Sequence, residues 1–420
     1  MAGEVSLQCL TDKTMYPVTG TSQSVHVLMD IKPVESQTFT RTPVNLCLVL
    51  DRSGSMLGEK IDNVKQAVGQ ILDHLAPDDF ISLVLFNERS LVALPAQHVQ
   101  DIEQLKGRVN ALKAEGGTSM SKGMQDGLNE LKKHTGPTRI SRMLLLTDGQ
   151  TWEDEADCQH LASEAKLNDV TITALGVGED WNETLLDAIA RNSTGRADYI
   201  DTPEKIISLF QDELRQLQDV VVQGAKAAIR LSKGVEPRKI YRVVPDIIDL
   251  SHTALSDRDV TVDLGALDKH NGQSLLIELH VPARPAGRYR IAQSEIAYTV
   301  PGDTPASEAI KTDIIIVTSD DDAETQTRDG AVMNIIERVT AYQLQLEAKE
   351  AAATGKLDVA TVKLREAATH LLEMGEEELA AAATEEADNL ENQGQMSSTG
   401  TKKLQYGTRK LTQRLDEDQG

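Results

Sequence analysis

The chain has 420 residues, of which 40% are hydrophobic and 3% aromatic, and its formal net charge is -23. This length exceeds one ordinary domain, so we expect roughly two or three domains with aliphatic cores. The negative charge argues against nucleic acid and anionic membranes as main partners. The three cysteines form no CxxC pair, which excludes a zinc knuckle and gives no sign of a disulfide framework.

Targeting signals are not visible in the sequence. Residues 1–10 contain no basic region followed by an apolar segment. No apolar run reaches the length of a transmembrane helix. We therefore expect a cytoplasmic protein without a membrane span.

Residues 1–43 show strand patterning. Apolar residues alternate with mainly polar ones along residues 24–31, and a shorter alternation covers residues 5–9. A period of two is typical of half-buried antiparallel strands. Because this segment is too small to fold alone, we expect it to pair with strands later in the chain.

Residues 44–218 alternate between buried-strand and helical patterns. The strand patterns are apolar runs at residues 44–51, 80–86, 91–94, 143–148, 170–177 and 197–200, with Pro95 ending the third as a short edge strand. The helical patterns cover residues 60–75, 102–112, 120–131, 156–167, 182–191 and 203–217. This alternation predicts an α/β domain with a doubly wound, mainly parallel, Rossmann-like sheet and helices on both faces.

Residues 219–319 return to a β pattern without helices. Candidate strands lie at residues 225–231, 240–244, 259–264, 274–281, 289–300 and 311–317. Pro and Gly separate these strands, as in a sandwich. We expect residues 1–43 and 219–319 to form one β-sandwich, into which the domain at residues 44–218 is inserted.

The last part of the chain predicts helices. Residues 320–394 contain a charged linker and three helical patterns with breaks at Gly355 and Gly375. This indicates a small helical bundle or a tetratricopeptide-like hairpin, although the full repeat signature of about 34 residues is not met. Residues 395–420 form a C-terminal tail that we interpret as either a short helix or a mobile segment. Its weak basic stretch does not indicate a nucleic-acid site; the residues are Lys402, Lys403, Arg409 and Lys410.

Polar residues follow the strands where a ligand site is expected. Asp51, Ser53 and Ser55 come at the end of the first buried strand, Thr118 lies in a glycine-containing loop, and Asp148 ends another strand. In open α/β sheets, ligands bind beyond the carboxyl ends of the strands. Two carboxylates and three hydroxyls offer only oxygen, which suits Mg2+, with Mn2+ or Ca2+ as substitutes. One open coordination position would accept an acidic side chain from a partner protein.

Three segments carry a resemblance to a known family: Asp51-Arg52-Ser53-Gly54-Ser55, Gly117-Thr118 and Thr147-Asp148-Gly149. In this order they resemble the von Willebrand factor A family. Its metal-ion-dependent adhesion site uses an Asp-x-Ser-x-Ser motif, a threonine and a second aspartate. All five positions match without substitution, and the resemblance covers about residues 43–218.

The resemblance implies a fold and a ligand set. The serines and the threonine would bind the metal directly or through water, and so would the aspartates. Ligand binding could also move the final helix, residues 203–217. The flanks look like those of bacterial proteins in which an A domain lies between β segments and a C-terminal helical region. An A domain is similarly inserted in integrin β chains, but Met56-Leu57-Gly58-Glu59 lacks their paired acids. We therefore expect one metal ion.

The predicted function is binding, not catalysis. The chain contains neither a P-loop spacing nor a Gly-x-Ser-x-Gly elbow, and no general base stands out. We expect a Mg2+-dependent protein-binding module of the adhesion or scaffold type. One alternative is an accessory subunit of an ATPase or other enzyme assembly, because A domains also partner ATPases, including chelatase subunits, in bacteria. A less favoured alternative is a metal-dependent hydrolase, since a bound metal activates water.

Overall fold

The chain divides into two compact units. The computed structural model describes residues 5–34, 41–136, 138–151, 153–251, 259–301 and 305–413. One unit comprises Thr38–Gly224 with Thr299–Ala306. The other comprises Met1–Gln37, Ala225–Tyr298 and Ser307–Gly420.

The N-terminal segment forms three strands: β1 (Val5–Thr11), β2 (Tyr16–Pro17) and β3 (Gln23–Pro33). β3 pairs antiparallel with β1 on one side and with the later strand Gln273–Val281 on the other. The alternation along β3 buries Val25, Val27 and Ile31. The expected pairing of this segment with later strands is confirmed.

The next region builds a six-stranded sheet with helices. Its strands are β4 (Val44–Asp51), β5 (Phe80–Phe86), β6 (Ser90–His98), β7 (Ile140–Thr147), β8 (Val170–Val177) and β9 (Arg196–Ile200). Its helices are α1 (Glu59–His74), α2 (Ile102–Asn110), α3 (Met120–Lys132), α4 (Glu155–Leu167), α5 (Glu183–Asn192) and α6 (Lys205–Gln218).

The order of this sheet confirms the predicted doubly wound topology. It runs β6-β5-β4-β7-β8-β9, and every pair is parallel except β5 with β6. The chain leaves β4 toward β5 on one side and later returns to β7 on the other. Right-handed crossovers therefore place the connecting helices on opposite faces of the sheet. Accordingly, α1 packs with α2 and α6, whereas α3 packs with α4, and α4 with α5.

Two glycines let α3 lie close to the sheet. A Cβ added at Gly127 would lie 2.5 Å from Val49 Cγ2, and one added at Gly123 would lie 2.8 Å from the ring of Phe86. Helix-interior glycine costs about 1 kcal/mol relative to alanine, so close packing is the reason for it here. This packing also fixes the start of α3, two residues after Thr118.

One strand differs from its prediction. The sequence pattern ended it at Pro95, but β6 runs from Ser90 to His98. β6 is an edge strand, and its pairing with β5 is irregular between Ile81 and Val84. Proline removes one N–H donor, which an irregular edge strand tolerates. The predicted end at Pro95 was therefore wrong.

Seven further strands complete the β part of the other unit. They are β10 (Val220–Leu231), β11 (Glu236–Val244), β12 (Ile248–Asp249), β13 (Asp259–Asp268), β14 (Gln273–Val281), β15 (Gly287–Val300) and β16 (Ala306–Ser319). With the N-terminal strands they form two five-stranded sheets, β1-β3-β14-β11-β12 and β13-β10-β15-β16-β2. Cys9 Sγ of β1 lies 3.7 Å from Ser294 Oγ of β15, so the sheets face each other as the sandwich prediction requires.

Four helices follow: α7 (Gly330–Ala353), α8 (Leu357–Glu373), α9 (Glu377–Gln393) and α10 (Ser398–Arg409). α7 shares a hydrophobic core with the sheet through Val332 and Ile335, which pack with Leu28, Tyr241 and Leu276. The helical region thus belongs to the same packed unit as the sandwich.

The fourth helix decides between the two interpretations of the tail. The buried carboxylate of Glu386 accepts hydrogen bonds from Ser397 N at 2.7 Å and Ser397 Oγ at 2.6 Å, which caps the start of α10. Lys402 is only 2% exposed and Arg409 is buried as well. These two basic residues of the stretch therefore face inward. Residues 414–420 of the predicted tail lie outside the described residues.

Candidate metal site

Asp51 is fixed where two adjacent parallel strands end. It is the last residue of β4 and is 0% exposed. Its Oδ1 accepts a hydrogen bond from Ser53 N at 2.8 Å, and its Oδ2 accepts one from Thr147 Oγ1 at 2.7 Å. Thr147 is the last residue of β7, so the Asp51 carboxylate is bonded to groups at the ends of both β4 and β7. These two hydrogen bonds fix its orientation.

The two serines and the second aspartate form a chain of oxygens. Ser53 Oγ lies 3.0 Å from Ser55 Oγ, and Ser55 Oγ donates to Asp148 Oδ1 at 2.7 Å. A short 3-10 turn, Gly54–Met56, produces this spacing, and the fully buried Met56 anchors it. The predicted residues after β4 and β7 are therefore in contact.

Thr118, in the loop before α3, lies near Ser55 and Gly149 of the same cluster. A Cβ added at Gly149 would lie 3.6 Å from Thr118 Oγ1 and 3.9 Å from Ser55 Oγ, so both hydroxyls surround this glycine. The Thr118 loop is joined to the loop after β4 by Gly54 N, which donates to Gly116 O at 2.9 Å. All five predicted residues thus lie in one cluster.

Two supporting residues were not predicted as part of the site. Asn87 holds the Thr118 loop: its Nδ2 donates to Glu115 O at 2.8 Å, and its carbonyl accepts from Ser119 N at 2.7 Å. It directly follows β5, so the rule that located Asp51 at a strand end could have found it. Thr147 orients Asp51, and its position next to Asp148 is the only sequence signal for that role.

The oxygen spacing fits an octahedral cation. Mg2+ holds ligands at about 2.1 Å and near right angles, which places neighbouring ligand oxygens about 3.0 Å apart. The distances of 3.0 Å and 2.7 Å along Ser53, Ser55 and Asp148 are close to that edge. The described residues contain no group of three or more His, Cys, Asp or Glu arranged for a metal. The two carboxylates and three hydroxyls of the cluster offer only oxygen ligands, which fit Mg2+ better than a softer metal.

The charge around the cluster favours a cation. Burial raises the pKa of Asp51 above its ordinary value, while hydrogen bonds from Thr147 and Ser53 oppose that shift. Desolvation makes the carboxylate costly without a compensating positive charge. The ammonium of Lys60 lies 2.5 Å from Asp148 Oδ2. By formal charge, the two carboxylates and the one ammonium leave a negative balance among these three groups.

The rim of the cluster combines charge with one apolar side chain. Arg52 Nη1 pairs with Glu115 Oε1 at 2.8 Å. Leu57, two residues beyond Ser55, is 74% exposed. Single exposed leucines are common on protein surfaces, but this one lies next to the candidate ligands.

Comparison with known proteins decides the family of the inserted domain. Residues 45–213 match the von Willebrand factor type A domain family, and residues 330–414 match the Sll0103-like, C-terminal alpha-helical domain family. The chain contains a von Willebrand factor type A domain. The family resemblance seen in the sequence is therefore confirmed for this domain. Such domains are typically protein-interaction modules and are generally non-enzymatic.

Relatives share parts of the chain. The Synechocystis sp. protein sll0103 is 32% identical over 274 residues, which are 64% of this chain and 63% of the relative. The human inter-alpha-trypsin inhibitor heavy chain H4 is 30% identical over 194 residues, 43% of this chain and 20% of that protein. The matches thus span less than two thirds of either relative.

A solved structure matches nearly the whole chain. The structure of a von Willebrand factor type A protein from Catenulispora acidiphila has a TM-score of 0.79 and 19% sequence identity, and the match covers 97% of this chain and 96% of that one. At this identity the likeness shows the fold. In the described part of the chain, no helix has both the length and the apolar composition to cross a membrane. The cytoplasmic location stays a prediction.

Proposed function

We propose that the chain is a Mg2+-dependent protein-binding module of the adhesion or scaffold type. Asp51, Ser53, Ser55, Thr118 and Asp148 would hold one metal ion, with Mn2+ or Ca2+ as substitutes. The metal would capture an Asp or Glu side chain of a partner protein. The observation that carries this proposal is the convergence of the Ser53, Ser55 and Asp148 side-chain oxygens, which lie 3.0 Å and 2.7 Å apart at the carboxyl edge of the sheet.

Each residue has a separate task in this proposal. The hydroxyls of Ser53, Ser55 and Thr118 offer lone pairs to the cation, and the two aspartates supply negative charge directly or through water. The hydrogen bond from Thr147 orients the Asp51 carboxylate at the site. When bound, the metal supplies an electrophilic centre for the partner's carboxylate.

The surface around the site has to supply further affinity. Stable protein interfaces bury about 1,200–2,000 Å² in total, far more than one metal–carboxylate contact provides. Leu57 is the exposed apolar side chain nearest in sequence to the ligand serines. We propose that it contacts the partner next to the captured carboxylate, where water exclusion strengthens the central contact.

Affinity capture from the native cell tests the proposal. Wild-type protein and the Asp51→Ala variant are compared, each with Mg2+ and with chelator. Asp62→Ala is the matched control, because Asp62 is an exposed acid in the first turn of α1. Partners should be retained only by wild type and Asp62→Ala, and only with Mg2+. Equal capture with and without metal would refute the proposal.

The same experiment addresses the alternative function. An accessory subunit of an ATPase or other enzyme assembly needs the same metal-dependent contact and differs only in the partner. An ATPase among the Mg2+-dependent partners would support the alternative. Sequencing the partner and replacing its candidate acidic residue with the matching amide then identifies the captured side chain.

A further inference from the structure

Lys60 makes direct contact with one of the candidate metal ligands. Its Nζ lies 2.5 Å from Asp148 Oδ2, and the Lys60 side chain is 28% exposed, whereas that of Asp148 is 0% exposed. The other carboxylate oxygen of Asp148 accepts the hydrogen bond from Ser55 Oγ. The ammonium and the serine hydroxyl therefore share one carboxylate.

The position of the ammonium is set by the fold. Lys60 lies in the first turn of α1, one residue after the helix begins at Glu59. A Cβ added at Gly178, directly after β8, would lie 3.8 Å from Lys60 Nζ. The ammonium thus lies between the loops that follow β7 and β8, at the carboxyl edge of the sheet.

We propose that Lys60 is a resident counter-cation of the site, which holds Asp148 and competes with the divalent cation for its carboxylate. This inference rests on the proposed metal-binding function. The single positive charge of Lys60 offsets the negative charge of Asp148 when no metal is present. The same charge repels an arriving dication and occupies one acceptor oxygen.

Competition of this kind would couple the metal to the partner. The positive charge of Lys60 opposes the metal but favours an approaching carboxylate. The partner's carboxylate would bind the metal and also offer the Lys60 ammonium an acceptor in place of Asp148. Partner and metal would then bind more tightly together than separately, and by linkage each would raise the affinity for the other equally. Lys60 would make occupancy of the site depend on the partner, not on metal concentration alone.

Calorimetric titration of the full chain with Mg2+, and separately with Mn2+, tests this role. Lys60→Met removes the charge at similar length, and Lys60→Gln is a second variant with a polar end. Lys65→Met is the matched control, because Lys65 is on the same helix and pairs with the exposed Asp62, at 3.7 Å, away from the candidate ligands. Lys60→Met and Lys60→Gln should each lower the metal Kd by about tenfold or more, whereas Lys65→Met should change it less than about twofold.

The outcomes separate this inference from the proposed function. An unchanged or higher Kd in both correctly folded Lys60 variants, with binding abolished in Asp148→Asn, would overturn the role of Lys60 and leave the metal site intact. Absence of metal binding in wild type and in both Lys60 variants would overturn both. Circular dichroism and thermal unfolding establish that each variant is folded.

Discussion

Two buried carboxylates of the A domain have opposite environments. Glu213 on α6 accepts from Thr173 Oγ1 at 2.8 Å, pairs with Arg142 Nη1 at 3.2 Å and forms a second ion pair with Arg196. Asp148 has one ammonium and one hydroxyl at its two oxygens. Two arginines thus surround the single carboxylate of Glu213, which leaves an excess of positive charge there. At Asp51 and Asp148 one lysine faces two carboxylates, which leaves an excess of negative charge.

The positions of the two clusters explain their different roles. Arg142, Thr173 and Arg196 lie in the first half of β7, β8 and β9, so the Glu213 cluster joins α6 to three strands far from their carboxyl ends. The Asp148 cluster lies at the carboxyl ends, where ligands bind in α/β sheets. The first cluster holds α6 against the sheet, and the second is the site at which we propose that a dication binds. Displacement of α6 from these strands would separate Glu213 from Arg142 and Arg196.

The largest effect is expected from removing the charge of Glu213. Glu213→Gln leaves two partly buried arginines, Arg142 and Arg196, without their carboxylate. It should lower the free energy of unfolding by about 3 kcal/mol. Asp212→Asn is the control on the same helix, because Asp212 pairs with Arg215 at the exposed surface and should change stability by less than about 0.5 kcal/mol. Denaturant unfolding measures both. A small loss in Glu213→Gln would show that the two clusters are alike.

Mg2+ should stabilise the folded protein only by binding at the Asp148 cluster. Mg2+ at about one hundred times its Kd should raise the free energy of unfolding of the wild type by about 2.7 kcal/mol. The Asp148→Asn variant should show no such gain. The measurement is thermal unfolding with and without Mg2+. An equal shift in both proteins would place the metal elsewhere.

The pH dependence of stability should report Glu213. Burial alone would raise its pKa, but the charges of Arg196 and Arg142 and the hydrogen bond from Thr173 hold the pKa below its usual 4.5. A depressed pKa means that this stabilisation is complete above about pH 4.5 and is lost as the pH falls through the folded-state pKa. The difference in the free energy of unfolding between wild type and Glu213→Gln should therefore be constant from about pH 5 to pH 7, because the carboxyl group is then largely ionised in both the folded and the unfolded chain. The difference should shrink as the pH falls below about 4.5. A difference that grows on acidification would contradict this assignment.

The smallest effect concerns the rim of the metal site. Leu57→Ser should weaken binding of the captured partner by about 1–2 kcal/mol without changing the metal Kd. Leu167→Ser is the control, because Leu167 is 85% exposed at the end of α4. Binding isotherms in saturating Mg2+ measure the difference. Equal losses in both variants would remove Leu57 from the proposed interface.

The sequence predicts what local patterns encode. β4 and β7 are continuous apolar runs that end at Asp51 and Asp148, so both the parallel sheet and the cluster at its edge could be inferred. The end of β6 could not be inferred. Pro95 locally favours the end of a strand, but the irregular edge pairing with β5 lets β6 continue past it. The fourth helix depends on Glu386 from α9, and the contact of Lys60 with Asp148 joins residues 88 apart. Long-range contacts of this kind leave no periodic signal in the sequence.

Direct titration tests whether the three loops that carry Asp51, Thr118 and Asp148 hold one Mg2+ ion. Calorimetry of the full chain with Mg2+ should show one ion per wild-type chain. Thr118→Val replaces the hydroxyl with a methyl group of similar size and should weaken binding at least about tenfold, and Asp51→Ala should abolish it. Wild-type affinity in both folded variants would contradict the account.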